Sequence, residues 1–183
     1  MRSAVRSHSP DNMVYYSVIV IFVVVAPQVF ADEDANVMSC LEMFKPEHIA
    51  EHCCQDMSMF NKEFESCQTK EGEWECENAK CLFEKAGILN GDTIDEKKAA
   101  ELLDKQKKEY PDNKAMFDRV QAQCMEGKYE EYPPKEACPL IKLQICSYIH
   151  SVVECQNWKP GDTCKKMSDH AKTCKSVLDS TTK

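Results

Sequence analysis

The chain has 183 residues, of which 43% are hydrophobic, 30% are charged and 12 are cysteine, and its formal net charge is −8. That excess of carboxylates disfavours nucleic acid and anionic lipid as partners, because both carry the same sign. The cysteines are even in number and all lie between Cys40 and Cys174, which reads as a disulfide framework of the kind that persists only in an oxidising compartment.

Arg2 and Arg6 precede an apolar run from Val14 to Ala26, and Val29 and Ala31 place small residues three positions before and directly before a cleavage point. The pattern predicts a secretory signal peptide over 1–31 and a secreted, extracellular chain over 32–183. The run is shorter than the ~20 apolar residues that a spanning helix needs, so no stable membrane insertion is expected. No Asn-x-Ser/Thr sequon occurs, so N-glycosylation is not expected.

Beyond the leader, helical patterns dominate and no segment alternates long enough to read as a strand. Pro46 opens a helix running to about Asp56, because proline fits the first turn, where its missing N–H costs nothing. A second piece spans Ser58 to Thr69, and a third runs from about Glu73 to Gly87, which offers a left-handed cap. Thr93 and Glu96 form a capping box for a helix from Ile94 to Glu109, stopped by Pro111. Asp112 or Asn113 caps the next, which ends near Gly127. The segment from Pro139 to Gln156 carries Leu140, Ile141, Leu143, Ile145, Tyr148, Ile149, Val152 and Val153 around most of its circumference, which marks a central, buried helix. Pro160 and Gly161 then precede a last helix over Asp162 to Leu178. The expected fold is an all-α single domain of about six to eight helices stapled by about six disulfides around an apolar cavity, with 156–183 an extra disulfide-bonded C-terminal extension.

Neighbouring Cys53 and Cys54 have Cα atoms about 3.8 Å apart, too close for an ordinary disulfide, so each needs a separate distant partner. Cys76 and Cys81 lie about 140° apart on a helix and should also face different neighbours. Cys146 and Cys155 fall on opposite sides of the central helix and should bolt it to two others.

The segment Lys80 to Asp92 (KCLFEKAGILNGD), the 42 residues between Cys81 and Cys124, and the eight between Cys146 and Cys155 resemble insect odorant-binding proteins. Cysteines beyond the usual six and a long tail after Cys155 resemble that family's cysteine-enriched Plus-C branch. Four residues separate Cys76 from Cys81 where the family usually has three, and proline follows Cys138 rather than Cys155. The resemblance implies pairing of Cys53 or Cys54 with Cys81, of Cys76 with Cys146, and of Cys124 with Cys155. Cys40, Cys67, Cys138, Cys164, Cys174 and the remaining vicinal cysteine would supply three further bridges. It also implies a carrier, not an enzyme, that encloses a small hydrophobic ligand, works without a cofactor and hands its cargo to a chemosensory receptor.

Candidate wall residues for such a pocket are Met57, Phe60, Leu82, Phe83, Leu102, Met116, Phe117, Val120, Tyr148, Ile149, Val152 and Trp158, since these sites are built mainly from apolar and aromatic side chains. Burying 250–300 Å² of ligand surface yields about 6–8 kcal/mol, micromolar affinity before ordering costs. His48-Ile-Ala-Glu51-His52 spells H-x-x-E-H, which on a regular helix sets two imidazoles on one face. Two solvated histidines on an acidic helix explain it more simply, since catalytic zinc needs a third protein ligand. No G-x-S-x-G elbow, phosphate-binding glycine loop or C-x2-C pair is present. His48, His52, His150 and His170 are candidates for a pH trigger, and charging His150 on the central helix would loosen the pocket wall. The alternative function is a salivary, venom or immune factor of the same fold. It would contact a protein partner through the charged helix from Asp95 to Glu109 and the tail after Cys164.

Overall fold

The computed structural model describes residues 39–58, 66–67, 75–132 and 134–181. The expected leader, most of the Ser58–Thr69 helix and candidate Phe60 lie outside the described residues. A helical turn at 39–42 precedes the longer elements, which are α1 Pro46–Ala50, α2 Cys76–Lys85, α3 Glu96–Glu109, α4 Lys114–Cys124, α5 Pro139–Val152 and α6 Asp162–Thr181. Single 3-10 turns at Gln55–Met57, Pro111–Asn113 and Lys128–Glu131 join them. No helix among the described residues is long and apolar enough to cross a membrane.

One small sheet interrupts the helices where none was expected. Strands β1 (Leu89–Asn90) and β2 (Thr93–Ile94) pair antiparallel, Leu89 opposite Ile94 and Asn90 opposite Thr93. Gly91 turns the corner at φ +63°, left-handed backbone that glycine adopts without steric cost. Because Thr93 and Ile94 belong to this hairpin, the expected capping box does not form. Asp95 is the N-cap instead and accepts from the Lys98 N–H at 3.1 Å. The Glu96 carboxylate accepts from the N–H groups of Glu126 and Gly127, residues at φ +61° and +75° after α4.

Contacts fix the helix directions. Glu96 reaches residues 126 and 127 while Lys107 pairs with Asp118 at 3.0 Å, so α3 and α4 run antiparallel. Arg119 meets His150 while Cys124 meets Cys146, so α4 and α5 do too. Cys40 meets Cys174 and Cys53 meets Cys164, which lays the N-terminal segment antiparallel along α6. Two apolar clusters follow. One gathers Ala79, Phe83, Ile88, Ala99, Val120, Cys124 and Leu143 from α2 to α5. The other gathers Met43, Cys53, Ile149, Val152, Met167 and Cys174 from the two ends of the chain and one side of α5.

All twelve cysteines are bonded, as Cys40–Cys174, Cys53–Cys164, Cys54–Cys155, Cys67–Cys81, Cys76–Cys138 and Cys124–Cys146. Cys53 and Cys54 do take different partners, as do Cys76 and Cys81. The pairing implied by the family resemblance does not occur: Cys81 takes Cys67, Cys76 takes Cys138, and Cys124 takes Cys146 rather than Cys155. The physical reason is local. Antiparallel packing of α4 on α5 brings the Cα atoms of Cys124 and Cys146 to 5.8 Å, within disulfide reach. Cys155 lies past the end of α5, beside Cys54 at a Cα separation of 5.9 Å.

A candidate ligand cavity between two apolar clusters

An apolar cavity of about 250 Å³ draws its wall from both clusters. Helix α2 supplies Leu82 and Phe83, α3 Ala99, Leu102, Leu103 and Gln106, and α4 Phe117 and Val120. Helix α5 supplies Leu143, Gln144, Ser147, Tyr148, Ser151 and Val152, and α6 supplies Met167. The N-terminal segment lines a further side with His48, Ile49, His52, Met57 and the Cys53 and Cys54 half-cystines. Those half-cystines are cross-linked to Cys164 and Cys155, so this side of the wall is covalently fixed.

Eight residues read from the sequence as wall candidates lie on this cavity: Met57, Leu82, Phe83, Leu102, Phe117, Val120, Tyr148 and Val152. Three do not. Met116 is buried but turned away from the void, one position round α4 from Phe117. Ile149 packs into the second cluster on the far side of α5. Trp158 pairs by its backbone with Cys54, and its indole N–H donates to the Cys155 carbonyl at 3.1 Å. The apolar pattern identifies buried residues, but a core side and a cavity side look alike in it.

Gln106, Gln144, Ser147 and Ser151 were missed, and one signal for three of them was legible. Residues 144, 147 and 151 stand at i, i+3 and i+7, a single stripe, and they are polar on the most apolar helix of the chain. The Gln144 and Gln106 side-chain oxygens are sealed from water and have no hydrogen-bond partner. Tyr148 is satisfied, its hydroxyl donating to the Met43 carbonyl at 3.2 Å, and burial pushes its phenol pKa up.

The histidines fall into two environments. His48 is 4% exposed and its Nδ1–H donates to the Glu42 carbonyl at 2.8 Å, so it is not the solvated side chain the sequence suggested. Helix α1 ends at Ala50 and His52 stands at φ +45°, so the H-x-x-E-H residues do not share one regular helical face. His150 is 1% exposed and does not line the cavity, which corrects its expected place in the pocket wall. Arg119 Nε–H donates to its Nδ1 at 3.0 Å, and Tyr132 holds its Nε2. Arginine stays protonated, so Nδ1 must carry a lone pair and the ring is neutral. Burial first, and the Arg119 charge second, lower the His150 pKa to about 4, against an opposing pull from Asp179. The buried ring therefore stays neutral at mildly acid pH.

Asp56 was also missed, and it forms a clasp beside the cavity wall. Its carboxylate accepts from the N–H groups of Gln156 and Asn157 at 2.7 and 3.0 Å and from the Asn157 amide at 2.6 Å. Its carbonyl takes the Asn113 amide at 2.8 Å. Burial opposes the charge, but the hydrogen bonds from Asn157 and Gln156 outweigh it and hold the Asp56 pKa below the usual range. No family model, no curated protein and no solved structure matches this chain.

Proposed function

We propose that this chain is a secreted carrier that encloses a small hydrophobic ligand and moves it through an aqueous fluid, in the manner of the odorant-binding proteins it resembles over Lys80 to Asp92. The observation that carries the reading is the cavity of about 250 Å³, walled by apolar side chains from five helices and lined on one side by cross-linked half-cystines. Well-packed interiors leave few voids larger than a water molecule, and an apolar cavity of this size suits an apolar occupant. A void of about 150 Å³ lined by aliphatic and aromatic groups takes a molecule the size of benzene. By proportion this one takes roughly ten heavy atoms.

Six disulfides support an oxidising, extracellular setting. They also support the void itself, because cross-links that stabilise the fold relax the demand on core packing. The departure from the family's disulfide pairing sets this chain apart within that reading, and the helical cavity does not depend on it. Several charges of α3 pair within the molecule, Lys98 with Asp95 and Lys107 with Asp104 and Asp118, which leaves less of that helix for a protein partner.

The test is displacement of a fluorescent apolar probe from the oxidised, purified protein by small apolar molecules. Saturable binding at micromolar concentration is the expected result, weakened at least tenfold by Val120→Trp, which fills the cavity. A well-folded protein that binds no probe and no ligand has a cavity without an occupant, and the carrier reading fails.

A further inference from the structure

Two serines lie on the cavity wall of α5, the most apolar helix of the chain. Ser147 is half-buried and Ser151 is 7% exposed. A serine or threonine inside a helix turns its hydroxyl to solvent or back on the carbonyl of the preceding turn. Two hydroxyls of α6 take the second course: Thr173 donates to the Asp169 carbonyl at 3.1 Å and Ser180 to the Val177 carbonyl at 2.7 Å. Those of Ser147 and Ser151 do not, and among the described residues they have no hydrogen-bond partner. Neither is sealed, in contrast to the Gln106 and Gln144 oxygens, which are shut off from the void and take no part in it. A wall that had only to be apolar would carry alanine at both positions, because alanine has the higher helix propensity and no hydroxyl to desolvate.

Their spacing sets the chemistry. Residues four apart on a helix share a face, with Cβ atoms about 5–6 Å apart. A hydroxyl meets a partner oxygen at about 2.7–2.8 Å, so one oxygen lying between the two serines can bond to both. We infer that the cavity takes an apolar molecule with a single oxygen function, held between Ser147 and Ser151, with its hydrocarbon part among Phe83, Leu102, Phe117 and Val120. This rests on the carrier reading and names its ligand class. A hydroxyl both donates and accepts, so the pair suits either kind of oxygen. A ketone accepts from both serines, while an alcohol accepts from one and donates to the other. A hydrocarbon leaves both without a partner.

The test measures displacement of the fluorescent probe by 1-octanol, 2-octanone and octane, on the wild-type protein, on Ser147→Ala, on Ser151→Ala and on the double variant. The double variant should weaken 1-octanol and 2-octanone by about tenfold each, and each single variant by about threefold. Octane should change by less than about twofold, because its contacts are all apolar. Octane thus reports on the apolar wall and separates a lost polar contact from a disturbed cavity. Unchanged alcohol-to-octane and ketone-to-octane ratios in the double variant overturn the inference and leave the carrier reading intact. A loss confined to one of the two oxygenated ligands overturns the shared site. Failure of all three to bind the wild type sinks the inference, and absence of probe binding as well sinks the carrier reading with it. If the double variant does not fold, the wild-type protein decides by NMR. There 1-octanol and 2-octanone should shift the Ser147 and Ser151 resonances further than octane does, and equal shifts overturn the assignment.

Discussion

The middle of the chain and its two ends reach the same folded state by different means. From α3 to α5, neighbours in sequence are neighbours in space, and α2 joins them by packing on α5. The bridges there span sequence separations of 14, 62 and 22. The ends must find each other across the whole domain, and their bridges span 134, 111 and 101. Helix α1 has only five residues, far below the ~12–15 at which an isolated helix is even marginal. Both regions have an apolar cluster and three bridges, but only the bridges of the ends close long loops, and the cavity lies where the two regions meet.

Breaking the closures should therefore have the largest effect. The three terminal loops are nested, so the first bridge to form restricts the most chain, worth about 4–5 kcal/mol for a loop near 100 residues. Each later one closes only a short ring and adds about 3 kcal/mol. Replacing Cys40 and Cys174 together with serine should cost about 3 kcal/mol, since it reopens only the ring made of 40–53 and 164–174. Replacing all six terminal cysteines should remove on the order of 10 kcal/mol, comparable with the whole stability of a domain. Hydrogen exchange should then show residues 39–58 and α6 unprotected while α3 and α4 keep some protection. Loss of protection that begins in α3 and α4 would reverse the comparison.

The same contrast explains what could be read in advance. The helices of the middle carry local signals: apolar periodicity, Pro111 after α3, and Pro139 at the start of α5. These placed α3, α4 and α5 to within a few residues. Disulfide pairing is a property of tertiary packing, and spacing along the chain could say only which cysteines must part company. The β1–β2 hairpin is two residues a side, too short for any alternation to register. Most of the apolar cavity wall was legible because burial is encoded in side-chain type. Which buried face borders a void is decided by how helices cross, so Met116, Ile149 and Trp158 were indistinguishable from Phe117, Tyr148 and Val152. His150 illustrates the limit for charge. Its position on a central helix was visible, but its neutrality depends on Arg119 and Tyr132, which only the folded chain brings to it.

That histidine lies at the joint between the two regions and offers a pH test of it. Arg119 of α4 contacts His150, Glu154 at 3.1 Å and Asp179 of α6 at 2.8 Å, and Lys175 of α6 also meets Glu154. The ring titrates near 6.5 when unfolded and about 4 when folded. Between those values the unfolded chain binds the extra proton, so stability from this group is complete above pH 6.5 and falls as pH drops toward 4. The full loss is about 3 kcal/mol. His150→Gln should flatten that part of the stability profile, measured by urea unfolding at pH 7, 5.5 and 4. A profile equally steep in the variant would assign the acid sensitivity to other groups, Asp56 foremost, whose lowered pKa acts only at the acid end.

The smallest effect sharpens the comparison from the side of the middle region, where local features should act locally. Asp95 caps α3 through the Lys98 N–H, whereas Thr93 is engaged in the hairpin turn, its hydroxyl donating to the Asn90 carbonyl at 2.9 Å. Loss of an N-cap is a modest destabilisation, which in a chain of this size lowers the melting temperature by about 3 °C. Asp95→Ala should produce that shift, Thr93→Ala a smaller one, and neither should change protection in α6. A capping box would give the opposite order, with Thr93→Ala the more damaging, because its hydroxyl and the Glu96 carboxylate would then bond reciprocally. Glu96 instead holds the left-handed turn after α4. Glu96→Ala should therefore expose the amides of Glu126 and Gly127 to exchange while leaving the first turn of α3 as protected as before.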